Sequence, residues 1–200
     1  MKYSSDFAEH FGKRDVFSIR DARIFLRQKK ISSAYLKLLM HNLLKKGKIK
    51  RLAKGFYTFK DDLMLAGFAF SPFYYGLHEA LSIHKLWGQA TNPSIITTRK
   101  VRSGIRAVMG NNIIVRRISS KMFFGYGTIE HYGLHLPVSD IEKTFVDFIY
   151  FRQKIPAEAI PAFAKRIDKS RVEKYLKKSP KWVRKRVLSF FRKNQPKVDF

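Results

Sequence analysis

Two hundred residues with 45% hydrophobic content suffice for one ordinary domain or two small ones with a real core. The absence of cysteine excludes disulfides, thiol catalysis and cysteine-ligated zinc or iron–sulfur centres. The formal net charge of +26 is unevenly spread: residues 1–60 hold 16 Lys/Arg against 4 Asp/Glu, residues 61–150 hold 9 against 7, and residues 151–200 hold 16 against 4. A nearly neutral middle between two basic ends attracts polyanions, and nucleic acid is the expected partner.

At the N-terminus, MKYSSDFAEHF meets acids at once and lacks the apolar core of a signal peptide. Ser5-Asp6 can cap a short helix, DFAEHFGKR, whose Phe7, Ala8 and Phe11 share a face. VFS is a strand stub. Ser18 to Asp21 then has the form of a capping box, opening a helix with Ile19, Ala22, Phe25 and Leu26 at helical spacing. After a turn at Lys30-Ile31, Ser32 caps SAYLKLLMHNLLKKG. That helix buries Leu36, Leu39, Met40 and Leu43 and leaves Ser33, Lys37, His41 and Lys45 on the opposite face. Gly47 stands at a left-handed C-terminal cap. KIKRLA and FYTF follow as two strands with Lys54-Gly55 at their turn.

Helix, strand stub, helix, turn, helix and two-stranded ribbon is the order of a winged helix-turn-helix over residues 1–60. A recognition helix needs an apolar stripe for its own fold and donors for a groove. Ser18, Ser32, Ser33, Tyr35, Lys37 and His41 are the candidate contacts from the helices, and Lys48, Lys50, Arg51 and Lys54 those from the wing. No acid occurs between Arg23 and Lys60, which favours double-stranded DNA over a docked protein.

Residues 61–154 are expected to form a second, α+β domain. LMLAGFAFSPFYYGL is too short to span a bilayer and is broken at Ser71-Pro72. Those two residues predict the start of a helix through FYYGLHEALSIHKLW to Gly88. PSIITT, RAVMG, NNIIVRRI, KMFFGY, TIEHYG and LHLPV read as strands of a mostly antiparallel sheet. Ser139 to Glu142 forms a second capping box, opening DIEKTFVDFIYF. His131 and His135 have a metal-like interval, but Gly133 turns the chain between them and no third ligand is evident. Glu79, Ser82 and His84 make a triad only on paper, because Ser82 and His84 point apart on one helix. Asp140 with Glu142-Lys143 lacks a nuclease's spacing. No catalytic activity, metal or cofactor is expected.

Residues 155–200 read as a basic helical extension packed on the second domain. In its last helix Trp182, Val183, Val187, Phe190 and Phe191 line one side, which favours a docked helix whose Arg184, Lys185, Arg192 and Lys193 form a solvated basic face; a second nucleic-acid contact through that face is the alternative. A membrane-surface role is less favoured, since a winged helix already explains the charge. The expected setting is cytoplasmic.

A winged helix closing on Lys54-Gly-Phe-Tyr57, then YYGLHEALSIHKLW, then VSDIEKTFVDFIY, resembles the AbiEi antitoxins, the regulator half of type IV toxin–antitoxin systems, over about residues 5–155. The resemblance implies repression of the protein's own promoter and a second domain that opposes a nucleotidyltransferase-fold toxin. The recognition-helix and wing positions carry over as DNA contacts, and Glu142, Lys143 and Asp147 match the family pattern. The basic extension departs from it. The expected function is therefore a sequence-specific DNA-binding repressor of antitoxin type, acting as a homodimer or by paired binding on a short half-site. The alternative is an architectural binder of DNA or structured RNA that uses both basic ends without sequence preference.

Overall fold

The computed structural model describes residues 3–193, with the side chain of Lys193 outside that description. The architecture is α+β. The chain forms two compact units, residues 1–71 with 105–113, and residues 72–104 with 114–200.

The first unit begins with α1 (Ser4–Gly12), β1 (Phe17–Ser18), α2 (Ile19–Gln28) and α3 (Ser33–Lys45). α1 starts after Tyr3 with no side-chain cap, so Ser5-Asp6 lie inside the helix. The predicted capping box of α2 forms in full. The Ser18 hydroxyl accepts from the Asp21 N–H at 3.2 Å, and the Asp21 carboxylate accepts from the Ser18 N–H at 2.8 Å. α3 is capped by Ser32 and closed by Gly47 at φ +65°, a backbone shape that costs glycine nothing. β2 (Lys50–Ala53) and β3 (Phe56–Thr58) turn at Lys54-Gly55. β1 joins them in a three-stranded antiparallel sheet of order β1-β3-β2. Leu36, Leu39, Met40 and Leu43 of α3 meet Phe7, Phe11, Phe17 and Leu26 in one core. Each such burial contributes about 2 kcal/mol. LMLAGFAF folds as a 3-10 helix, Leu63–Phe70, capped by Asp62, and belongs to this unit.

The second unit holds β4 (Phe73–Tyr75), α4 (Leu77–Ile83) and β5 (Ser94–Thr97). β6 (Gly104–Val108) and β7 (Asn111–Arg117) follow, though residues 105–113 belong to the first unit. β8 (Tyr126–His131), β9 (Leu134–Ser139), α5 (Ile141–Tyr150), α6 (Ala159–Arg166), α7 (Lys169–Lys178) and α8 (Lys181–Lys193) complete it. Its strands run in the order β7-β5-β4-β9-β8. Three expectations are corrected here. Phe73–Tyr75 is a buried central strand rather than the start of a helix, and α4 begins only after Gly76. Three consecutive aromatics suit a strand covered on both faces, and pairing to β5 and β9 overrides the Ser-Pro helix signal. The sheet is mixed, since β4 pairs β9 and β5 pairs β7 in parallel. KMFFGY is not one strand: Ser120–Met122 is a 3-10 turn, and β8 starts at Tyr126.

The helices after residue 155 share the core of this unit. Ile155, Ala159, Phe163, Val172, Leu176, Val183 and Val187 are buried with Phe145, Val146 and Phe148 of α5. No helix among the described residues is long and apolar enough to cross a membrane.

Candidate nucleic-acid interface

The outer face of α3 is built as its spacing requires. Ser33, Lys37, His41 and Lys45 are exposed, and Leu38 stands among them at 53% exposure. Ser32 is exposed but accepts from the Tyr35 N–H at 3.3 Å, so its hydroxyl is committed to the cap. Tyr35 is half-buried. Its hydroxyl accepts from the Tyr3 N–H at 3.4 Å and its ring meets Tyr3 edge-on at 5.9 Å, tying α3 to the start of α1. Ser18 is half-buried and fully used by its capping box, its hydroxyl also donating to Asp21 at 2.8 Å.

On the ribbon, Lys48 and Lys54 are exposed and Arg51 is exposed with its Nε donating to the Ala53 carbonyl at 3.4 Å. Lys50 differs, because its ammonium lies 2.6 Å from the Asp61 carboxylate. Two further acids of this unit, on α1 and in the turn before β1, pair with lysines outside α3. Asp6 pairs Lys29 and Asp15 pairs Lys60, each at 2.5 Å. The hydrogen bond and charge of Lys29 hold the Asp6 carboxyl below its ordinary range. Burial pushes Asp21 up, yet the hydrogen bonds from Ser18 outweigh it and leave that carboxyl depressed. Sequence spacing foresaw the basic ladder of α3. The Lys50–Asp61 pair and the Tyr3–Tyr35 tie join positions whose proximity only the fold creates.

The second unit presents another basic face. Arg184, Lys185 and Arg192 of α8 are exposed, while Val183 and Val187 are buried and Phe190 and Phe191 meet the Phe145 ring edge-on at 5.1 Å and tilted at 5.3 Å. Lys193 falls outside the described side chains. Trp182, 41% exposed, lies at 6.0 Å from Tyr150 in near-parallel stacking, with the Arg152 guanidinium 5.3 Å over its ring.

The residues quoted from VSDIEKTFVDFIY prove to be a buried polar network. Asp140 caps α5, accepting from the Lys143 N–H at 2.7 Å, so the cap sits one residue later than the expected Ser139. Ser139 instead donates to the Tyr75 carbonyl at 3.3 Å and shares a 2.7 Å hydrogen bond with Thr144. Glu142 accepts from the Asp168 N–H at 2.9 Å, where the chain enters α7. The Lys143 ammonium is fully buried. It donates to the Tyr74 oxygen at 3.0 Å and pairs with Asp147, while the Tyr74 hydroxyl donates to Asp147 at 2.8 Å. Burial lowers the Lys143 pKa and raises those of Asp147 and Tyr74, each against or alongside its partners' charge.

This geometry joins α5 to β4, β9 and α7 and leaves Lys143 and Asp147 fully buried, while Asp140 keeps a quarter of its side chain exposed. Glu79 is buried and accepts from Thr91 at 3.0 Å, and burial raises its pKa. The His84 ring meets the Ser139 carbonyl at 2.7 Å, so Glu79, Ser82 and His84 do not assemble. His131 pairs Leu134 and His135 pairs Glu130, which puts the two histidines on opposite faces of the hairpin. No family model matches this chain, and no curated protein matches it.

Proposed function

We propose that this protein is a sequence-specific double-stranded DNA-binding regulator whose first unit is a winged helix-turn-helix, with α3 as recognition helix and β2–β3 as wing. The observation that carries the reading is the acid-free outer face of α3, where Ser33, Lys37, His41 and Lys45 stand exposed, in a unit whose ribbon also exposes Arg51 and Lys54. Exposed donors along a helix serve base edges and phosphates in a major groove, and ribbon cations serve the neighbouring backbone. Ser18 and Tyr35 act in this scheme by holding α2 and α3 rather than by touching DNA. Lys50, shared with Asp61, is a weaker phosphate ligand than Lys48 or Lys54.

The finer reading is an autorepressing AbiEi-type antitoxin, resting on the resemblance carried by Lys54-Gly-Phe-Tyr57 and VSDIEKTFVDFIY. Its partner would be a toxin of nucleotidyltransferase fold, opposed by the second unit. Co-expression with the adjacent gene tests it: growth arrest by that gene alone, relieved by this protein, supports the pairing, and no arrest or no relief removes it. The second reading, a general binder of DNA or structured RNA, draws on the separate basic face of α8 with Arg184, Lys185 and Arg192.

The deciding experiment titrates the full chain against the DNA upstream of its own gene, with random duplex of equal length as competitor, at two salt concentrations. The regulator reading expects a preference of about a thousandfold or more at physiological salt. Equal affinity for both duplexes, falling together as salt rises, would replace it with the general binder.

A further inference from the structure

An open pocket of about 490 Å³ lies in the second unit, between the C-terminal end of α5, the turn into α6, and α8. Its accessible apolar surface comes from the half-buried Ile160 and Phe190, with the buried Phe148 and Ile155 behind them. Its rim carries the exposed cations Arg152, Lys154 and Arg186, and no carboxylate among the described residues lines it. A volume of this size with an apolar floor and a few convergent charges is the usual form of a small-molecule site. A duplex backbone does not match it, because a sugar–phosphate surface has no apolar body to place on phenylalanine and isoleucine. We propose that this pocket binds a small amphiphilic anion, its apolar body on Ile160 and Phe190 and its carboxylate or phosphate between Arg152 and Arg186.

Arginine is suited to the anionic end because its planar fork meets a carboxylate or phosphate with two parallel hydrogen bonds. The Arg152 guanidinium rests 5.3 Å over the Trp182 ring and would exchange part of that contact for the anion, while its backbone is fixed at the rim. The Arg152 N–H donates to the Ile149 carbonyl at 3.1 Å and the Gln153 N–H to the Phe148 carbonyl at 2.8 Å, a helix end that puts Arg152 at φ +53°. Glycine fits that backbone best, so Arg152→Gly removes the cation and its contact with Trp182 while relieving backbone strain that offsets the loss. Lys30 and Lys85 share the same sign of φ, and the strain therefore supplies a clean variant rather than the argument.

The site stands apart from the nucleic-acid reading, and its test contains no duplex. The full chain is titrated calorimetrically with decanoate, with adenosine monophosphate and with inorganic phosphate. One amphiphile is expected to saturate a single site, and inorganic phosphate to bind at least about tenfold more weakly because it leaves the floor wet. Which amphiphile saturates separates an acyl carboxylate from a nucleoside phosphate. Arg152→Gly and Arg186→Gln should each weaken binding by about tenfold, whereas exposed Lys177→Gln should not. Thermal unfolding should show Arg152→Gly no less stable than the parent. Absence of saturable binding by both amphiphiles, phosphate binding as tightly as they do, or indifference to both arginine variants would overturn the site.

Discussion

Lys143 and Asp147 show how far a single pair of residues can mislead when read alone. At spacing i, i+4 they have the form of a surface ion pair worth a few tenths of a kcal/mol. In the fold both are fully buried, and Tyr74, sixty-nine residues before Lys143, closes the network. One signal was available, since Asp147 interrupts an otherwise apolar run between Val146 and Phe148. Removing one partner strands the other charge in the core, so Lys143→Met should cost on the order of 3–5 kcal/mol, while Lys143→Met with Asp147→Leu should recover a large part of it. Both tryptophans, Trp87 and Trp182, lie in the second unit, so fluorescence-detected guanidinium unfolding reads that unit directly. A double variant no more stable than the single one would refute the buried-charge account. Gly125 presents a second tight point. It sits at φ +69°, and a Cβ there would meet Lys143 Cβ and the Tyr175 ring at 2.9 Å. Gly125→Ala should therefore lose about 2–3 kcal/mol by the same measurement, and a loss below about 0.5 kcal/mol would show that the loop relaxes freely.

Elements whose signals are local were legible in the sequence, and elements settled by distant pairing were not. α2 and α3 are announced by Ser18, Asp21, Ser32 and Gly47, all within a few residues of the ends they define. β4 has only its three aromatics as a local signal, and Ser71-Pro72 beside them points to a helix instead. Phe73–Tyr75 becomes a strand because β5, about twenty residues later, and β9, over sixty later, lie on either side of it. The parallel pairings of the mixed sheet are invisible for the same reason. The candidate DNA contacts divide likewise: the exposed ladder of α3 follows from periodicity, whereas the commitment of Ser18, Tyr35 and Lys50 to internal partners does not. The capping box also fixes a pH response. Asp21 titrates below its ordinary value of 3.8 in the folded protein. A depressed folded pKa gives stabilisation that is complete above 3.8 and lost as pH falls through the lower folded value. The first unit should thus weaken as pH falls below 3.8 toward the folded value, and Asp21→Ala should flatten the response while costing about 1 kcal/mol at neutral pH. An acid response unchanged by Asp21→Ala would assign it to other groups. On the proposed recognition helix, Lys37→Ala and His41→Ala should each erode operator preference by about 1–3 kcal/mol, while Lys54→Ala weakens all duplexes alike. Equal scaling of every sequence by all three would remove base readout by α3.

At the scale of the whole molecule the question is what 26 excess positive charges are for. They repel one another in a compact protein, and the chain keeps them near its two ends rather than diluting them through its middle. The C-terminal helices cannot be a detached basic tail, because Val172, Leu176, Val183 and Val187 complete the core of the second unit. Their charges are instead carried on a rigid face whose Arg184, Lys185 and Arg192 point away from that core. Substituting only these three by glutamine leaves the packing intact and separates the two functional readings. If α8 grips phosphates, the slope of log K against log salt should fall by about 0.9 for each phosphate that is no longer neutralised. The preference for the protein's own upstream DNA over random duplex should stay unchanged, because phosphate contacts carry no sequence information. That pairing of a shallower slope with a constant preference identifies α8 as an auxiliary clamp on a specific regulator. A slope that does not change shows that α8 never meets the duplex, and the α8 charge must then be explained by another partner. Loss of preference together with affinity would mean that sequence is read through the second unit, and the assignment of readout to α3 would fail.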